Sequence, residues 1–173
     1  MNPSRDRGFT LIELLIVVTI ISILVAVAVP NYIKFRMTGN ETSAITSLSA
    51  VKNAEVMYAA SCGAGGFAVS LTVLGTPVPG TTVAFIGADL GSTASPIKSS
   101  YVFTLGPGAG ASTGPNDCNG TATQSDYYAT AVPQTFGSNG ARSFATNASN
   151  MTWQVYAAAA PTEPFGPPAT PIQ

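Results

Sequence analysis

Histidine is absent from the 173 residues, and only 9% of them are charged. Without imidazole there is no Ser-His-Asp triad and no histidine metal ligand or acid–base group. Seven basic residues stand against eight acidic ones, a net charge of −1. So even a balance carries no basic patch of the kind that binds nucleic acid through phosphate. Cysteine occurs twice, too rarely for a zinc array, and neither a Walker loop nor a dinucleotide-binding glycine pattern is present. Asp117 and Asp126 flank a mid-chain loop, but calcium takes about six to eight oxygens with several carboxylates, and the C-terminal third is poor in acids. No catalytic residue, metal or cofactor is expected, and the chain does not read as an enzyme.

What the chain does have is a long apolar run. From Leu14 to Val29 the residues are almost wholly hydrophobic, long enough to cross a membrane, with Glu13 at its edge. A carboxylate at the centre of a lipid-embedded helix costs roughly 2.5–3.5 kcal/mol, and less near an end, so Glu13 needs a partner and a reason. An ordinary secretory signal would supply a basic start (Arg5, Arg7) and Ala26-Val27-Ala28 as a cleavage site. However, Glu13 would then fall in its apolar region, and the segment past Pro30 continues as a helix. A plain membrane anchor leaves Gly8 and Glu13 unexplained.

The stretch Gly8-Phe9-Thr10-Leu11-Ile12-Glu13-Leu14, behind Arg5 and Arg7, resembles the processing site of type IV pilins and their pseudopilin relatives. The resemblance implies that a prepilin peptidase cuts after Gly8 and that the new terminus, Phe9, is N-methylated. It also implies that Glu13 and Phe9 serve filament assembly, the carboxylate of one subunit pairing with the terminal amine of a neighbour. The short leader, residues 1–8, would lie on the cytoplasmic side, as the positive-inside tendency favours. Its removal leaves five basic side chains against seven acidic, a net of −2. The expected partners are further copies of the chain in a helical filament, the peptidase, the inner-membrane assembly machinery and, before assembly, membrane lipid. The expected path runs from a single-pass inner-membrane protein to an extracellular pilus. A pseudopilin of a type II secretion or DNA-uptake machine, or a membrane-anchored surface binding module, stays open beside it.

Residues 9–61 are expected to form one helix, with 9–29 as membrane or filament core and 31–61 amphipathic. Pro30 lacks an N–H and crowds the preceding turn, which predicts a kink there. From Glu41 onward Ala44, Leu48, Val51, Tyr58 and Cys62 share a face, with Thr42, Ser43, Thr46, Ser49 and Asn53 opposite. Glu55 lands on the apolar face, where a solvated carboxylate is expected. Residues 62–173 read as a β-rich head with a Pro-rich tail, giving an α+β fold: the long helix packed on an antiparallel meander of three to four strands.

The strands are expected at Tyr101–Leu105, Tyr127–Val132, Arg142–Thr146 and Thr152–Tyr156, with residues 82–86 as a further short edge. A turn is expected at Asn147–Asn150, a long structureless loop at 106–124, and an extended, unpacked tail from Pro161. Export implies an oxidising compartment, so Cys62 and Cys118 are expected to form one disulfide. Closing a loop of roughly 57 residues is worth about 4 kcal/mol in the chain-entropy model. In many pilins the bridge brackets a C-terminal segment; here it would tie the helix end to the mid-chain loop.

Overall fold

The computed structural model describes residues 9–172. Helix α1 runs from Leu11 to Ser61, and the chain divides within it, between Arg36 and Met37, into two compact units. The first unit carries the apolar half of α1, whose side chains are solvent-exposed from Phe9 to Val29. Its polar residues are tied to their own helix: Thr19 donates to the Ile16 carbonyl (2.7 Å), Ser22 to Val18 (2.7 Å) and the Asn31 side chain to Val27 (3.1 Å). Such back-bonding leaves little unsatisfied polarity for an apolar surrounding to penalise. Position 30 lies inside the helix.

In the second unit the amphipathic half of α1 covers a sheet. Two one-turn helices follow it, α2 (Leu71–Leu74) and α3 (Ala88–Gly91), then eight strands: β1 (Ile97–Lys98), β2 (Tyr101–Pro107), β3 (Thr113–Asn116), β4 (Ala122–Gln124), β5 (Tyr127–Pro133), β6 (Ser143–Asn147), β7 (Thr152–Val155) and β8 (Thr170–Pro171). The antiparallel order is β1-β2-β5-β6-β7-β8, with β3-β4 as a separate hairpin. The four expected strands are its centre. The sheet reaches six because two short edges extend it, and β8 comes from the tail expected to stay unpacked. A two-residue edge carries no alternation pattern, so pairing alone reveals it.

The expected edge at residues 82–86 is not a strand. The amides of Phe85 and Ile86 donate to the Leu74 carbonyl instead, which places this segment over α2. Nor is the loop at 106–124 structureless, since it holds the β3-β4 hairpin. Between β6 and β7 the turn forms as expected. The Asn147 side chain accepts from the Ser149 amide at 3.0 Å, and Asn150 takes φ 67, a conformation asparagine tolerates.

The core forms where Ala44, Leu48, Val51, Ala54, Tyr58 and Cys62 on α1 meet Tyr101, Phe103, Leu105, Tyr127, Ala129, Ala131 and Phe144 on the sheet, with Leu71, Leu74 and Leu90 closing one side. Gly75 and Gly91 let α2 and α3 touch backbone to backbone, since a Cβ at either would collide with the other. On the far side of the sheet the tail folds back: Phe165 stacks on Trp153 with centroids 5.3 Å apart, and the Tyr128 hydroxyl donates to the Pro161 carbonyl.

Three polar fastenings hold this helix in place. Near its start in the head, Glu41 accepts from the Ala141 amide and the Arg142 Nε, each at 2.8 Å, while Arg142 also donates to Gln154 at 2.7 Å. At its end Cys62 is bridged to Cys118 with Cα atoms 4.9 Å apart. Beside the bridge the Tyr58 hydroxyl donates to Asp117 at 2.7 Å, and the other Asp117 oxygen accepts the amides of Asn119 and Thr121.

Glu55 is the third fastening and departs from the expectation of a solvated side chain. It is 0% exposed. Its Oε2 accepts the Ala68 amide at 2.8 Å, and Oε1 is buried without a hydrogen-bond partner. Helical spacing put Glu55 on the apolar face; only packing of the 67–68 segment over it removes its water. Burial pushes its pKa up to about 8, opposed by the Ala68 bond. The folded head therefore holds a proton that the unfolded chain releases near pH 4.5. Stability from this group is fully present below that pH and falls by roughly 1.4 kcal/mol per pH unit until the folded pKa is passed. Glu55→Gln should flatten the fall in melting temperature across this window while keeping the Ala68 bond; a pH profile unchanged by the substitution would show that Glu55 is not its source.

Candidate functional site at the N-terminus of the first helix

The residues singled out at the N-terminus are Gly8, Phe9 and Glu13. Gly8, with Arg5 and Arg7, lies outside the described residues. Phe9 is 74% exposed, like the apolar residues that follow it. Thr10 starts the helix: its carbonyl accepts the Leu14 amide at 3.3 Å.

Around that first turn Thr10 and Glu13 bind each other reciprocally. The Thr10 amide donates to Glu13 Oε2 at 2.9 Å, the Thr10 hydroxyl donates to the same oxygen at 2.7 Å, and the Glu13 amide donates to the Thr10 hydroxyl at 3.3 Å. This is a capping box, in which threonine at the cap and glutamate three residues on satisfy each other's orphan donors. The sequence signal Thr-x-x-Glu before an apolar run encodes this box, whereas the pilin resemblance implied for Glu13 only a partner on another subunit. The structure gives it a local one. The positive end of the helix dipole lies at the same turn, adding a favourable field for a carboxylate.

Among the described residues every bond that the Glu13 carboxylate makes falls on Oε2. The carboxylate is thus fixed in orientation by one oxygen while Oε1 can accept a donor from outside. Such a group can receive a cation without first breaking its cap. Further along the helix, the rest of the span offers only Thr19 and Ser22, both satisfied by the backbone, so Glu13 is the one acid in an apolar surface reaching Val29.

The head offers less chemistry. Asp117 and Asp126 each serve neighbouring protein donors, and no group of three or more metal-ligating side chains occurs among the described residues. A cavity of about 190 Å³ lies under the tail, lined by Val155, Ala157, Pro161, Pro164 and Pro168 among others. Its walls are mostly small and apolar, with Thr162 the one side-chain hydroxyl among them.

Comparison with known proteins bears on the same segment. Residues 3–29 match the family described as the prokaryotic N-terminal methylation motif. The chain is 35% identical over 106 residues to the type IV narrow pilus major component PilA5 of Thermus thermophilus, covering 60% of this chain and 90% of that protein. The chain belongs to the type IV pilin family. It is also 56% identical over 57 residues to the type IV major pilin protein PilA of Myxococcus xanthus, a match covering 33% of this pilin but 26% of that relative. With 34% identity over 58 residues, the type II secretion system core protein G of Aeromonas hydrophila resembles 34% of the chain, over 41% of its own length. No solved structure matches. In this pilin the segment matched by the methylation-motif family, residues 3–29, contains the capping box.

Thr10→Val keeps the side-chain shape and removes the cap, which should cost about 1 kcal/mol. In detergent micelles, amide exchange at Glu13 and Leu14 should quicken roughly fivefold with exchange in the head unchanged. Equal exchange in both proteins would mean that the box does not hold this turn.

Proposed function

We propose that this chain is a structural subunit that polymerises through α1 into a type IV pilus filament. The carrying observation is the single oriented carboxylate, Glu13, at the start of an exposed apolar helix inside the methylation-motif match. In this reading the subunit waits in the inner membrane, residues 1–8 are removed by cleavage after Gly8, and the methylated Phe9 amine remains cationic. Residues 9–29 then leave lipid for the filament core, and the head from Cys62 onward faces outward on the cell surface.

Inside an apolar core, Glu13 Oε1 and the Phe9 amine of a neighbouring copy are each costly alone and tolerable together. A subunit added out of register leaves both unpaired, so the pair acts as a register check during assembly. The capping box sharpens that check because Oε2 is already bound, which restricts the direction from which the amine can approach. Pro30 supplies a place where the helix can kink as subunits pack.

A second reading, a pseudopilin of a secretion machine, is favoured by the resemblance to core protein G. The pilus reading has the wider support, since the match to a pilus major component extends over 90% of that relative and that to core protein G over 41%. The two readings share cleavage, methylation and helix packing and differ in the length of the fibre.

Intact mass and N-terminal sequence of the mature protein test the first step, with a methylated Phe9 start expected and a start at Val29 contradicting it. Glu13→Ala should be cleaved normally yet be missing from fibres sheared off cells, whereas a bulky residue at Gly8 should leave uncut precursor in the membrane. Normal fibres from the Glu13→Ala protein would overturn the register role.

A further inference from the structure

Just beyond the apolar run, the first unit ends in a short segment of different chemistry: Tyr32, Lys34, Phe35 and Arg36. All four are exposed, Tyr32 at 66% and Phe35 at 76%. Large aromatic rings left open beside cations are the composition of a membrane–water boundary, where the ring body meets the acyl edge and the polar tip meets headgroups. Their axial position fits the same boundary. The exposed apolar stretch from Leu11 to Val29 is centred on Ile20. At 1.5 Å per residue, Tyr32 lies about 18 Å from that centre and Arg36 about 24 Å. The hydrocarbon of a bilayer extends roughly 15 Å from its midplane and its headgroups to roughly 20–22 Å. Helical side chains tilt toward the N-terminus, which brings the Arg36 guanidinium back into the headgroup layer.

The angular arrangement separates a membrane from a protein partner. At about 100° per residue, Tyr32, Phe35 and Arg36 fall on one face, at i, i+3 and i+4, while Lys34 points to the opposite side. A groove on another protein would engage one face, whereas a planar interface surrounds the helix and meets all of them. Charge complementarity selects the lipid, because the phosphates of anionic headgroups attract juxtamembrane cations.

We propose that Tyr32, Lys34, Phe35 and Arg36 form a collar that docks on anionic phospholipid headgroups at the distal face of the membrane and sets the depth at which the subunit waits before assembly. This rests on the reading of residues 9–29 as a membrane span. It gives the aromatic and basic residues after Pro30 a role before polymerisation and makes headgroup release part of leaving the membrane.

Two variants of the full chain, Tyr32→Trp and Ile20→Trp, test it in vesicles of phosphatidylcholine doped with phosphatidylglycerol. The phosphatidylcholine is brominated either near the glycerol end or near the methyl end of the acyl chain. Emission from Trp153, common to both proteins, is subtracted using the parent chain. Trp at 32 should be quenched at least about twofold more by the shallow bromines than by the deep ones, and Trp at 20 the reverse. The shallow preference at 32 should grow with phosphatidylglycerol, and Arg36→Gln together with Lys34→Gln should abolish that growth. If Trp at 20 is quenched from the deep position while Trp at 32 is quenched from neither, the collar is wrong and the span reading survives. If Trp at 20 is quenched from neither, both fall. A preference at 32 indifferent to phosphatidylglycerol in the parent background would overturn the headgroup as partner.

Discussion

Burial of one stripe of α1, from Ala44 through Leu48, Val51 and Tyr58 to Cys62, is the constraint on which the head depends. Sheet and loops have no other long apolar surface to close against, since α2 and α3 are single turns. Each large apolar side chain fully withdrawn from water contributes about 1.5–3 kcal/mol, but that attraction has no direction and would tolerate sliding along the helix. Register is supplied by the three polar fastenings along the same stripe, Glu41 to Arg142 and Ala141, Glu55 to Ala68 and Tyr58 to Asp117, and by the covalent bridge from Cys62 to Cys118. Specific bonds decide where the nonspecific burial stops.

Elsewhere in the same helix the solvent problem is the reverse. The first unit presents its apolar residues outward on every side, and an apolar surrounding offers a polar group there no water to bond. Thr19, Ser22 and Asn31 bond back to the backbone instead, and Glu13 bonds to Thr10. The difference is that Glu13 keeps an oxygen in reserve. A carboxylate that is half satisfied and fixed in direction suits a pairing that forms only when another molecule arrives in the right place.

The two glutamates make a useful contrast. Glu13 and Glu55 each stand among apolar residues, and sequence alone treated the first as a site and the second as solvated. The structure reverses part of that. Glu13 has a partner three residues away, a local relation fully encoded in Thr10-Leu11-Ile12-Glu13. Glu55 depends on Ala68, thirteen residues on and across the breaker Gly63-Ala64-Gly65-Gly66. No periodicity reports which segment will lie over a given helical residue. The same reason explains the short strands, for β8 pairs with β7 only because the tail returns past Phe165 and Trp153.

Sequence by itself determined the long helix, its change from apolar to amphipathic, the four central strands, the turn at Asn147 and the family resemblance. Each of these rests on spacing or chemistry within a few residues. Tertiary structure decided what distant segments do to one another: the six-stranded width of the sheet, the hairpin inside the mid-chain loop, the covering of Glu55 and the seating of the tail. Local patterns are set by backbone geometry, which every residue carries with it. Burial and edge pairing are set by which segments meet, and that is a property of the folded chain alone.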